Sequence, residues 1–384
     1  MRVLNVNAML DSRIGGGTAE RTFQMSRYLA LSGASVTVVA LDTGALSERI
    51  AGLFPAQAVL LPVLLRRFQF PSPRMGMLRR LVAEADIVHL MGHWSILNAM
   101  VYLIARSMDK PYVVCPAGAL PIYGRSRLIK RLYNLIVGHR LIRNAAGWIA
   151  VTKSEYPAFE EYGIGSEFIT VIPNGVDANE YPLLAKATVE DRPWGNAPYV
   201  LFMGRLSPIK GPDLLLEAFA HVAPLHSGYH LVFAGPDDGM QETLQATAAA
   251  RGVAARVHFV GRVAGEQKVA LYRLASILVV PSRHEAMSVV ALEAGICGKP
   301  VLLTDQCGFS QIRGIDPRLE VPATVEGLAR GLDDLLAMPA ELIRLGGEMQ
   351  QFVSARFAWK SVVGHYLCLY EGIVNARPVA GRRS

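Results

Sequence analysis

Two carboxylates separated by seven residues, Glu285 and Glu293, carry the strongest chemical signal in the chain. They lie in the segment Pro281–Pro300, which follows the apolar, β-branched run Ile277–Val280 and so begins where a buried strand should end. On one continuous helix this spacing turns the chain by about 800°, so the two carboxylates would lie about 80° and about 12 Å apart. They therefore need not share one proton, which favours two separate contacts along an extended ligand.

The residues between the two carboxylates favour a helix that starts at Ser288. The free amides of its first turn, near Met287–Val290, favour a phosphate group. Glu293 stands among apolar residues of this helix, so it needs a polar partner when it is buried. The alternative is structural, with Glu285 on the surface and Glu293 on a helix face.

A pair of cations flanks a second loop, Gly204–Gly211, which directly follows the apolar run Tyr199–Met203. In an open parallel sheet, loops at the carboxyl ends of strands line the ligand crevice. Arg205 and Lys210 can both reach a diphosphate there, the arginine through its planar fork and the lysine as a point charge. The alternative is that both are solvated surface cations.

A third loop is rich in glycine. Gly15, Gly16 and Gly17 follow the first predicted strand and precede a helical pattern over Arg21–Leu31. Glycine lets a backbone approach a ligand closely, and the amino end of a helix favours an anion. The spacing is not G-x-G-x-x-G, and no acidic residue follows in the usual ribose-binding place, so a nicotinamide site is poorly supported. The alternative is a plain tight turn.

Strands must position these loops, and short apolar runs alternate with helical patterns in both halves of the chain. This alternation predicts an α/β fold of two Rossmann-like, doubly wound domains with parallel sheets covered on both faces. The predicted strands are Val3–Ala8, Ser35–Leu41, Val59–Val63, Ile87–Met91, Tyr112–Cys115, Gly147–Val151, Phe168–Ile172, Tyr199–Met203, His230–Ala234, Val257–Val260, Ile277–Val280 and Val301–Thr304.

The boundary between the two domains is predicted where periodicity is lost. Residues 176–198 lie in a stretch rich in Pro, Gly, Asn and Asp, which is typical of a linker. The domains are then 1–175 and 199–360. The remaining residues, 361–384, are predicted to form a helix and a tail that return toward the first domain.

Length and composition fit two globular domains: 384 residues, 51% apolar and 18% charged. The sequence contains no apolar run of about 18 residues, so no membrane-spanning helix is predicted. Asp11 and Arg13 come too early in the chain for the apolar core of a signal peptide. The net charge of +7 favours an anionic partner, whether phosphate, nucleic acid or lipid. Four scattered cysteines without metal-ligand spacing fit the reduced thiols of a cytosol: Cys115, Cys297, Cys307 and Cys368.

Together these segments resemble family 4 of the retaining glycosyltransferases, which have the GT-B fold, in which two Rossmann-like domains face each other across a cleft. The most specific element is the E-x7-E pattern from Glu285 to Glu293, followed by Gly298–Val301. Further matching segments run in the family order along nearly the whole chain: Pro173–Asp177, Gly204–Gly211, Phe259–Arg262 and Pro281–Glu285.

The resemblance implies an enzyme that moves a hexose from a GDP- or UDP-linked sugar to a surface-polysaccharide or lipid-linked glycan, with retention of configuration. Arg205 and Lys210 would hold the donor diphosphate and stabilise its charge as it leaves. Glu293 would bind the ribose hydroxyls, and Glu285 would lie by the sugar hydroxyls. The remaining donor contacts would fall to backbone and loop residues: Met287, Ser288 and Val289 near sugar and phosphate, Gly16 and Gly17 over the phosphates, and Arg262 and Val263 beside the base.

A histidine of the first domain is a further candidate. The segment Asp86–Trp94 resembles the D-x-x-H-x-H stretch of the family, with Met91 at the second histidine position. His93 can take over that role near the sugar. The alternative is that His93 is a hydrogen-bonded structural residue at a strand end.

No D-x-D pattern occurs in the chain, so the usual carboxylate pair for a metal-bound diphosphate is missing. We therefore expect no metal and no cofactor, since the nucleotide sugar is a substrate.

Two basic, apolar stretches, 64–80 and 125–143, bear on the acceptor. In the second, one helical face carries Leu128, Leu132, Leu135, Ile136 and His139, with the cations elsewhere. Such a helix can lie on anionic lipid. The alternative is an ordinary core-facing helix with a solvated basic side. We expect a cytoplasmic protein and hypothesise peripheral contact with the inner face of the cell membrane.

Two other functions compete with the enzyme. One is a catalytically inactive sugar-nucleotide-binding or scaffold protein, against which the retained cations and carboxylates argue. The other is a basic nucleic-acid-binding protein. The chain has no recognition-helix module, and its basic stretches lack stacking aromatics beyond Phe68 and Phe70, so no nucleic-acid partner is expected.

Overall fold

A computed structural model describes residues 1–44, 47–65, 70–122, 126–183 and 192–376. The chain divides into two compact units. The first domain comprises Met1–Gly175 together with Trp359–Ser384, and the second comprises Val176–Ala358. Residues 176–198, predicted as a linker, thus belong to the second domain. Residues 377–384, the end of the predicted helix and tail, lie outside the described residues.

Within the described ranges, the first domain contains a sheet of eight strands. In chain order these are β1 (Arg2–Val6), β2 (Ser35–Asp42), β3 (Gln57–Leu65), β4 (Phe70–Pro71), β5 (Ile87–Met91), β6 (Tyr112–Cys115), β7 (Gly147–Ala150) and β8 (Ile169–Val171). Their order across the sheet is β4-β3-β2-β1-β5-β6-β7-β8, and β4 alone of these strands is antiparallel. On β1, Val3 pairs with Val36 on one side and Ile87 on the other. Burial on both faces explains why such strands are almost continuously apolar.

The helices of the first domain connect these strands. They are α1 (Ser12–Leu31), α2 (Ser47–Ala51), α3 (Met75–Glu84), α4 (Ile96–Ser107), α5 (Arg127–Tyr133), α6 (His139–Arg143) and α7 (Tyr156–Glu160). A π-helical turn, Asn134–Gly138, joins α5 to α6 without a break. Helix α4 begins at a side-chain cap, since the Ser95 hydroxyl accepts a hydrogen bond from the Asn98 amide at 3.3 Å.

The second domain has a parallel sheet of six strands within the described ranges. They are β9 (Tyr199–Met203), β10 (His230–Ala234), β11 (Val257–Gly261), β12 (Ile277–Val280), β13 (Val301–Thr304) and β14 (Glu320–Val321), in the order β11-β10-β9-β12-β13-β14. The helices are α8 (Pro212–Val222), α9 (Gln241–Ala250), α10 (Gly265–Leu274), α11 (Val289–Ile296), α12 (Val325–Leu336) and α13 (Pro339–Arg356).

The last helix, α14 (Trp359–Asn375), belongs to the first domain although it follows the second in sequence. Its Tyr366 hydroxyl accepts a hydrogen bond from the buried Arg21 guanidinium at 2.5 Å. Its Tyr370 hydroxyl lies 2.5 Å from Nδ1 of the buried His89. Buried polar groups need such partners, so α14 completes the interior of the first domain.

The twelve predicted strands are all observed, with ends shifted by two residues or fewer, and the α/β fold class is confirmed. Strands β4 and β14 have two residues each and were too short to predict. One helix boundary was wrong. Helix α1 begins at Ser12 rather than Arg21, and a kink at Gly16, with φ 56° and ψ −144°, divides it into two helical parts. Glycine adopts a positive φ at little cost, so the break falls at this residue.

The helical run over 127–143 also departs from one expectation. The alternative of a core-facing helix is wrong for its aliphatic side chains, which meet solvent. Their exposed fractions are 78% for Leu128, 56% for Leu132, 78% for Leu135 and 61% for Ile136. Arg125 lies outside the described residues, as do Arg66, Arg67 and Phe68 of the other basic stretch.

Candidate functional site

Each sheet has one point where the order of strands reverses. In the second domain, β9 pairs with β10 on one side and with β12 on the other. The loops that follow β9 and β12 therefore diverge at the carboxyl edge of the sheet and leave a crevice there. These two loops carry Arg205, Lys210 and Glu285. In the first domain the corresponding strands are β1 and β5, which precede the glycine segment and His93.

Two glycines let the loops of the second-domain crevice touch backbone to backbone. Gly211 has a φ of 65°, and a Cβ on it would lie 2.0 Å from the carbonyl oxygen of Pro281. Gly308 has a φ of 61°, and a Cβ there would lie 1.9 Å from the carbonyl oxygen of Ala286. Only glycine tolerates both the backbone angle and the approach. The loop after β12 is thus held between the loops after β9 and β13.

Arg283 ties the first two of these loops together. Its guanidinium donates to the two carboxylate oxygens of Asp213 at 2.8 and 2.6 Å and to the Pro208 carbonyl at 2.6 Å. Burial alone would raise the pKa of the Asp213 carboxyl, but the hydrogen bond and charge of Arg283 lower it below its usual value. Bidentate pairing of this kind fixes geometry, so Arg283 positions the loop after β9 against the loop after β12.

Lys210 and Glu285 meet where those loops touch. The ammonium Nζ lies 2.8 Å from Oε1 of Glu285, and the Ser282 hydroxyl donates to the same oxygen at 2.5 Å. The carboxylate side chain is 9% exposed and the lysine 29% exposed. A carboxylate so far removed from water needs these partners. Because an ammonium group has three donors, Lys210 can contact a phosphate oxygen while it holds Glu285.

Arg205 is the more accessible cation of the pair. Its side chain is 59% exposed, and its guanidinium lies 3.6 Å from the carboxylate of Asp238, which is itself 56% exposed. Exposed pairs of this kind contribute little stability. Arg205 can therefore leave Asp238 for a bound anion at small cost.

Glu293 lies inside α11 and is held by two residues of α10, with a further side-chain hydrogen bond from Tyr181. Its Oε1 accepts a hydrogen bond from Lys268 Nζ at 2.7 Å, and its Oε2 accepts one from the Tyr272 hydroxyl at 2.7 Å. Burial, together with the Glu293 charge, raises the pKa of Tyr272 well above its usual value of 10, so the hydroxyl keeps its proton and donates. Each oxygen of this largely buried carboxylate thus has a partner.

Sequence reasoning missed Lys268 and Tyr272 as site residues. It indicated that Glu293 needs a partner but did not identify one. The two residues are four apart on α10, a spacing that places both on one helix face. The sequence does not show which face of α10 meets α11.

Ser288 precedes α11, as predicted, but its side chain does not cap the helix. Its hydroxyl is buried and has no hydrogen-bond partner in the part of the chain that the structure describes. Its amide donates to the carbonyl of Cys307 at 3.2 Å, so that amide is engaged within the protein. Met287 is buried, and Val289 is half-buried.

The other predicted donor contacts lie at loop positions. Arg262 is exposed and Val263 half-buried, between β11 and α10. Gly16 and Gly17 are exposed near the start of α1, and a Cβ on Gly16 would meet no atom within 4 Å. Gly16 and Gly17 belong to the first domain, whereas Arg262 and Val263 belong to the second.

His93 follows β5 and is enclosed by aromatic rings. It is 1% exposed, and its Nε2 lies 2.9 Å from Oδ1 of Asn134. The rings of Trp94, Tyr133 and Tyr162 pack edge-on against it, with centroids 4.5 to 5.5 Å away. Burial lowers the pKa of His93 to about 4, against the opposing effect of the Asn134 hydrogen bond. This environment favours the structural interpretation of His93.

Among the described residues, no group of three or more His, Cys, Asp or Glu side chains is placed to hold a metal ion. No helix in the same ranges combines the length and apolar character that a membrane crossing requires.

Two known families match the chain, one in each half. Residues 15–180 match the family described as Glycosyltransferase Family 4, and residues 188–351 match the family described as Glycosyl transferases group 1. The matched segments contain every predicted site residue, with Gly16 near the start of the first and Glu293 within the second.

Individual relatives bear similar names. Over 265 residues the chain is 29% identical to the D-inositol 3-phosphate glycosyltransferase of Segniliparus rotundus. This alignment covers 66% of this chain and 58% of that protein. Over 230 residues it is 31% identical to the D-rhamnosyltransferase WbpZ of Pseudomonas aeruginosa. This second alignment covers 59% of this chain and 57% of that protein. The chain thus spans a little over half the length of these curated relatives.

A solved structure extends the likeness to the whole fold. The crystal structure of Anabaena HepE in complex with UDP and glucose aligns with a TM-score of 0.77 over 97% of this chain and 100% of that chain, at 20% identity. Two parallel-sheet α/β domains and two family matches that together cover most of the sequence lead to one assignment. The chain belongs to the family 4-like group of glycosyltransferases with the GT-B fold.

Proposed function

We propose that the protein transfers a hexose from a nucleotide-diphosphate sugar, with GDP or UDP as the nucleotide, to a surface-polysaccharide or lipid-linked glycan acceptor. The observation that carries the proposal is the Lys210–Glu285 ion pair, with Nζ 2.8 Å from Oε1, at the strand-order reversal of the second domain. A cation and a carboxylate stand together at the sheet edge where open α/β folds bind ligands.

The chemistry requires charge stabilisation at the leaving group. As the bond from sugar to phosphate breaks, the nucleotide diphosphate gains negative charge, and cations aimed at it lower the barrier. Lys210 is held in place by Glu285 and needs little reorganisation. Arg205, which is 59% exposed, can turn onto the diphosphate from its weak contact with Asp238.

In this proposal the carboxylates of Glu285 and Glu293 bind different hydroxyl groups of the donor. Oε1 of Glu285 is occupied by Lys210 and Ser282, which leaves Oε2 to accept from a sugar hydroxyl. The carboxylate of Glu293 is held by Lys268, Tyr272 and Tyr181, and we propose that a remaining lone pair accepts from a ribose hydroxyl. The remaining donor contacts are proposed at the backbone of Met287 and Val289, at the hydroxyl of Ser288 because its amide already donates to Cys307, and at four loop residues: Arg262, Val263, Gly16 and Gly17.

Names among the relatives support this substrate class. WbpZ is described as a D-rhamnosyltransferase, and HepE was crystallised with UDP and glucose. A six-carbon sugar is common to both descriptions, and the second adds a nucleoside diphosphate. The same comparisons leave several acceptor chemistries open, since the Segniliparus rotundus protein is named for inositol 3-phosphate.

We further propose that transfer retains the anomeric configuration. A retaining reaction through a covalent intermediate would need a free carboxylate nucleophile. Oε1 of Glu285 is engaged by Lys210 and Ser282, and we assign its Oε2 to a sugar hydroxyl, so neither oxygen serves as a nucleophile in this proposal. Attack from the face of the leaving phosphate, assisted by that phosphate, requires no nucleophile from the protein.

The proposed reaction uses neither a metal nor a cofactor, because Lys210 and Arg205 supply the positive charge that a metal would bring to the diphosphate. The measurement is turnover before and after treatment with EDTA. Unchanged turnover supports the proposal, and loss that Mg²⁺ or Mn²⁺ restores contradicts it. We place the reaction in the cytoplasm, at the inner face of the cell membrane where lipid-linked acceptors lie.

The decisive experiment screens purified full-length protein against GDP-, UDP- and ADP-linked sugars and follows release of the nucleotide diphosphate. We expect turnover with one donor and a loss of about 100-fold or more in Lys210→Ala, as for removal of other charge-stabilising contacts. Lys360→Ala, at an exposed lysine of α14, is the matched control and should keep full turnover.

A parallel thermal-shift panel of GDP, UDP, ADP and DNA separates the competing functions, because a ligand that binds the native state raises the melting temperature. A shift by a nucleotide without turnover on any donor would indicate an inactive binding protein. A shift by DNA alone would indicate a nucleic-acid-binding protein and would overturn the proposal.

A further inference from the structure

The helical run Arg127–Arg143 presents an unusual surface on the first domain. Helix α5, which opens the run, contains no buried residue. Five aliphatic side chains stand in solvent along this run: Leu128 78%, Ile129 59%, Leu132 56%, Leu135 78% and Ile136 61% exposed. Their spacing places them on one face of the helix. We call these five side chains the aliphatic strip.

The opposite side of the same run is anchored in the domain. Asn134 and Gly138 of the π-helical turn are buried, as are Leu141 and Ile142 of α6. The exposure of the aliphatic strip is therefore a property of one face of a packed helix and not of a detached segment. Scattered single apolar residues are normal on protein surfaces, but a contiguous patch marks an interaction site.

The charge along the stretch of sequence that contains the aliphatic strip has a single sign. Between Asp109 and Glu155 the sequence has eight lysines and arginines and no acidic residue. Four of these cations are exposed along the strip itself: Arg127, Arg131, Arg140 and Arg143. The partner that complements this surface is apolar and anionic at once.

A pocket adjoins the carboxyl end of the aliphatic strip. It has a volume of about 550 Å³ and is lined by Asn134, Leu135, His139, Arg140, Arg143 and Asn144. Leu135 belongs both to the strip and to this pocket. Its two guanidinium groups suit a phosphate group, and the adjacent leucine suits the hydrocarbon attached to it.

We propose that the aliphatic strip lies in the surface of an anionic phospholipid bilayer, with its leucine and isoleucine side chains among the acyl chains and Arg140 and Arg143 on lipid phosphates. Aliphatic residues flanked by arginine and lysine are the composition of helices that lie in the membrane interface. Surfaces that bind proteins are enriched in aromatic residues and methionine, whereas the aliphatic strip consists of leucine and isoleucine. The inference does not depend on the transfer reaction.

The test is flotation of full-length protein with two kinds of vesicle, one of phosphatidylcholine alone and one with phosphatidylglycerol added. We expect binding to the anionic vesicles that weakens with salt, and weak binding to the neutral ones. The double variant Leu128→Gln/Leu135→Gln should lower the partition coefficient by about tenfold or more, because two side chains that enter the bilayer are lost.

The matched control is Leu225→Gln/Ile343→Gln, since these side chains are 74% and 79% exposed but lie in the second domain. It should float as the unaltered protein does, and melting curves of both variants should show that each is folded. A second double variant, Arg140→Gln/Arg143→Gln, should reduce the preference for anionic over neutral vesicles. It keeps the aliphatic side chains, so their contact with the bilayer should remain.

Three outcomes would overturn the proposal. The first is no flotation with anionic vesicles at low salt. The second is equal flotation of Leu128→Gln/Leu135→Gln and the unaltered protein. The third is a stable dimer in sedimentation that this variant converts to a monomer, which would mean that a second copy of the chain covers the strip.

Discussion

Lys210 and Glu285 are 75 residues apart in the chain and form an ion pair, with Nζ 2.8 Å from Oε1. The pair joins the loop after β9 to the loop after β12, and Ser282 donates to the same carboxylate oxygen. The lysine that we propose as a diphosphate contact is therefore also the residue that neutralises the proposed sugar contact. Binding and local stability are coupled at this point.

This coupling predicts that Lys210→Ala affects both stability and turnover. Without Lys210, the carboxylate of Glu285, whose side chain is 9% exposed, loses its counter-charge. We expect the free energy of unfolding to fall by about 1–3 kcal/mol and turnover to fall by about 100-fold. Urea unfolding and release of nucleotide diphosphate measure the two quantities.

The companion variant Glu285→Gln removes the charge that Lys210 opposes, so the double variant should lose less stability than the sum of the two single variants. A double-mutant cycle gives this difference, typically about 0.5–3 kcal/mol for residues in contact. Additive effects would show that the two side chains do not interact in solution.

The contacts of Glu293 predict distinct effects for two variants. Glu293→Ala removes the proposed ribose contact and should lower turnover by about 100-fold or more. Tyr272→Phe removes one of the hydrogen bonds that orient the carboxylate, so we expect a KM for the donor that is about 5- to 10-fold higher, since one hydrogen bond contributes about 1 kcal/mol, with little change in kcat.

Steady-state kinetics on the donor separates these effects. Tyr229→Phe is the matched control, because Tyr229 lies in the second domain and its ring packs on His226, away from Glu293. A change in kcat for Tyr272→Phe with an unchanged KM would contradict a positioning role for this tyrosine.

The close approach at Gly211 predicts that Gly211→Ala disturbs the crevice. A Cβ there would lie 2.0 Å from the carbonyl oxygen of Pro281, at a φ of 65°. We expect a loss of about 1–3 kcal/mol in unfolding free energy and weaker nucleotide binding by calorimetry. Gly228→Ala, where a Cβ would meet no atom within 4 Å, is the control. Equal behaviour of the two variants would refute the close approach.

The buried His93 predicts that stability falls in mild acid. Burial lowers the pKa of His93 from 6.5 to about 4, so between these values the unfolded chain binds a proton that the native chain does not. Stability is therefore lost as pH falls from about 6.5 to about 4, by a total on the order of 3 kcal/mol for this group. His93→Gln should show a shallower decline in urea unfolding over this range. An identical decline in the variant would sink this assignment.

Much of the fold follows from local sequence pattern. Near-continuous apolar strands that alternate with helices predicted two parallel-sheet domains, and strand ends predicted that the candidate loops lie at the carboxyl edge of a sheet, because parallel strands present their carboxyl ends at one edge. The residue types of Arg205 and Lys210 indicated binding of a diphosphate, and the resemblance to a known family assigned hydroxyl groups to Glu285 and Glu293. These inferences need only the order of residues along the chain.

Other features were decided by contacts between distant segments. The sequence indicated that Glu293 needs a partner, but the packing of α10 on α11 made the partners Lys268 and Tyr272. A helical period identified the aliphatic face of 127–143 without showing that it is exposed. Periodicity records which residues share a face, whereas burial depends on what the rest of the chain places against that face. The sequence therefore determined the candidate chemistry, and tertiary packing decided which groups pair and which meet solvent.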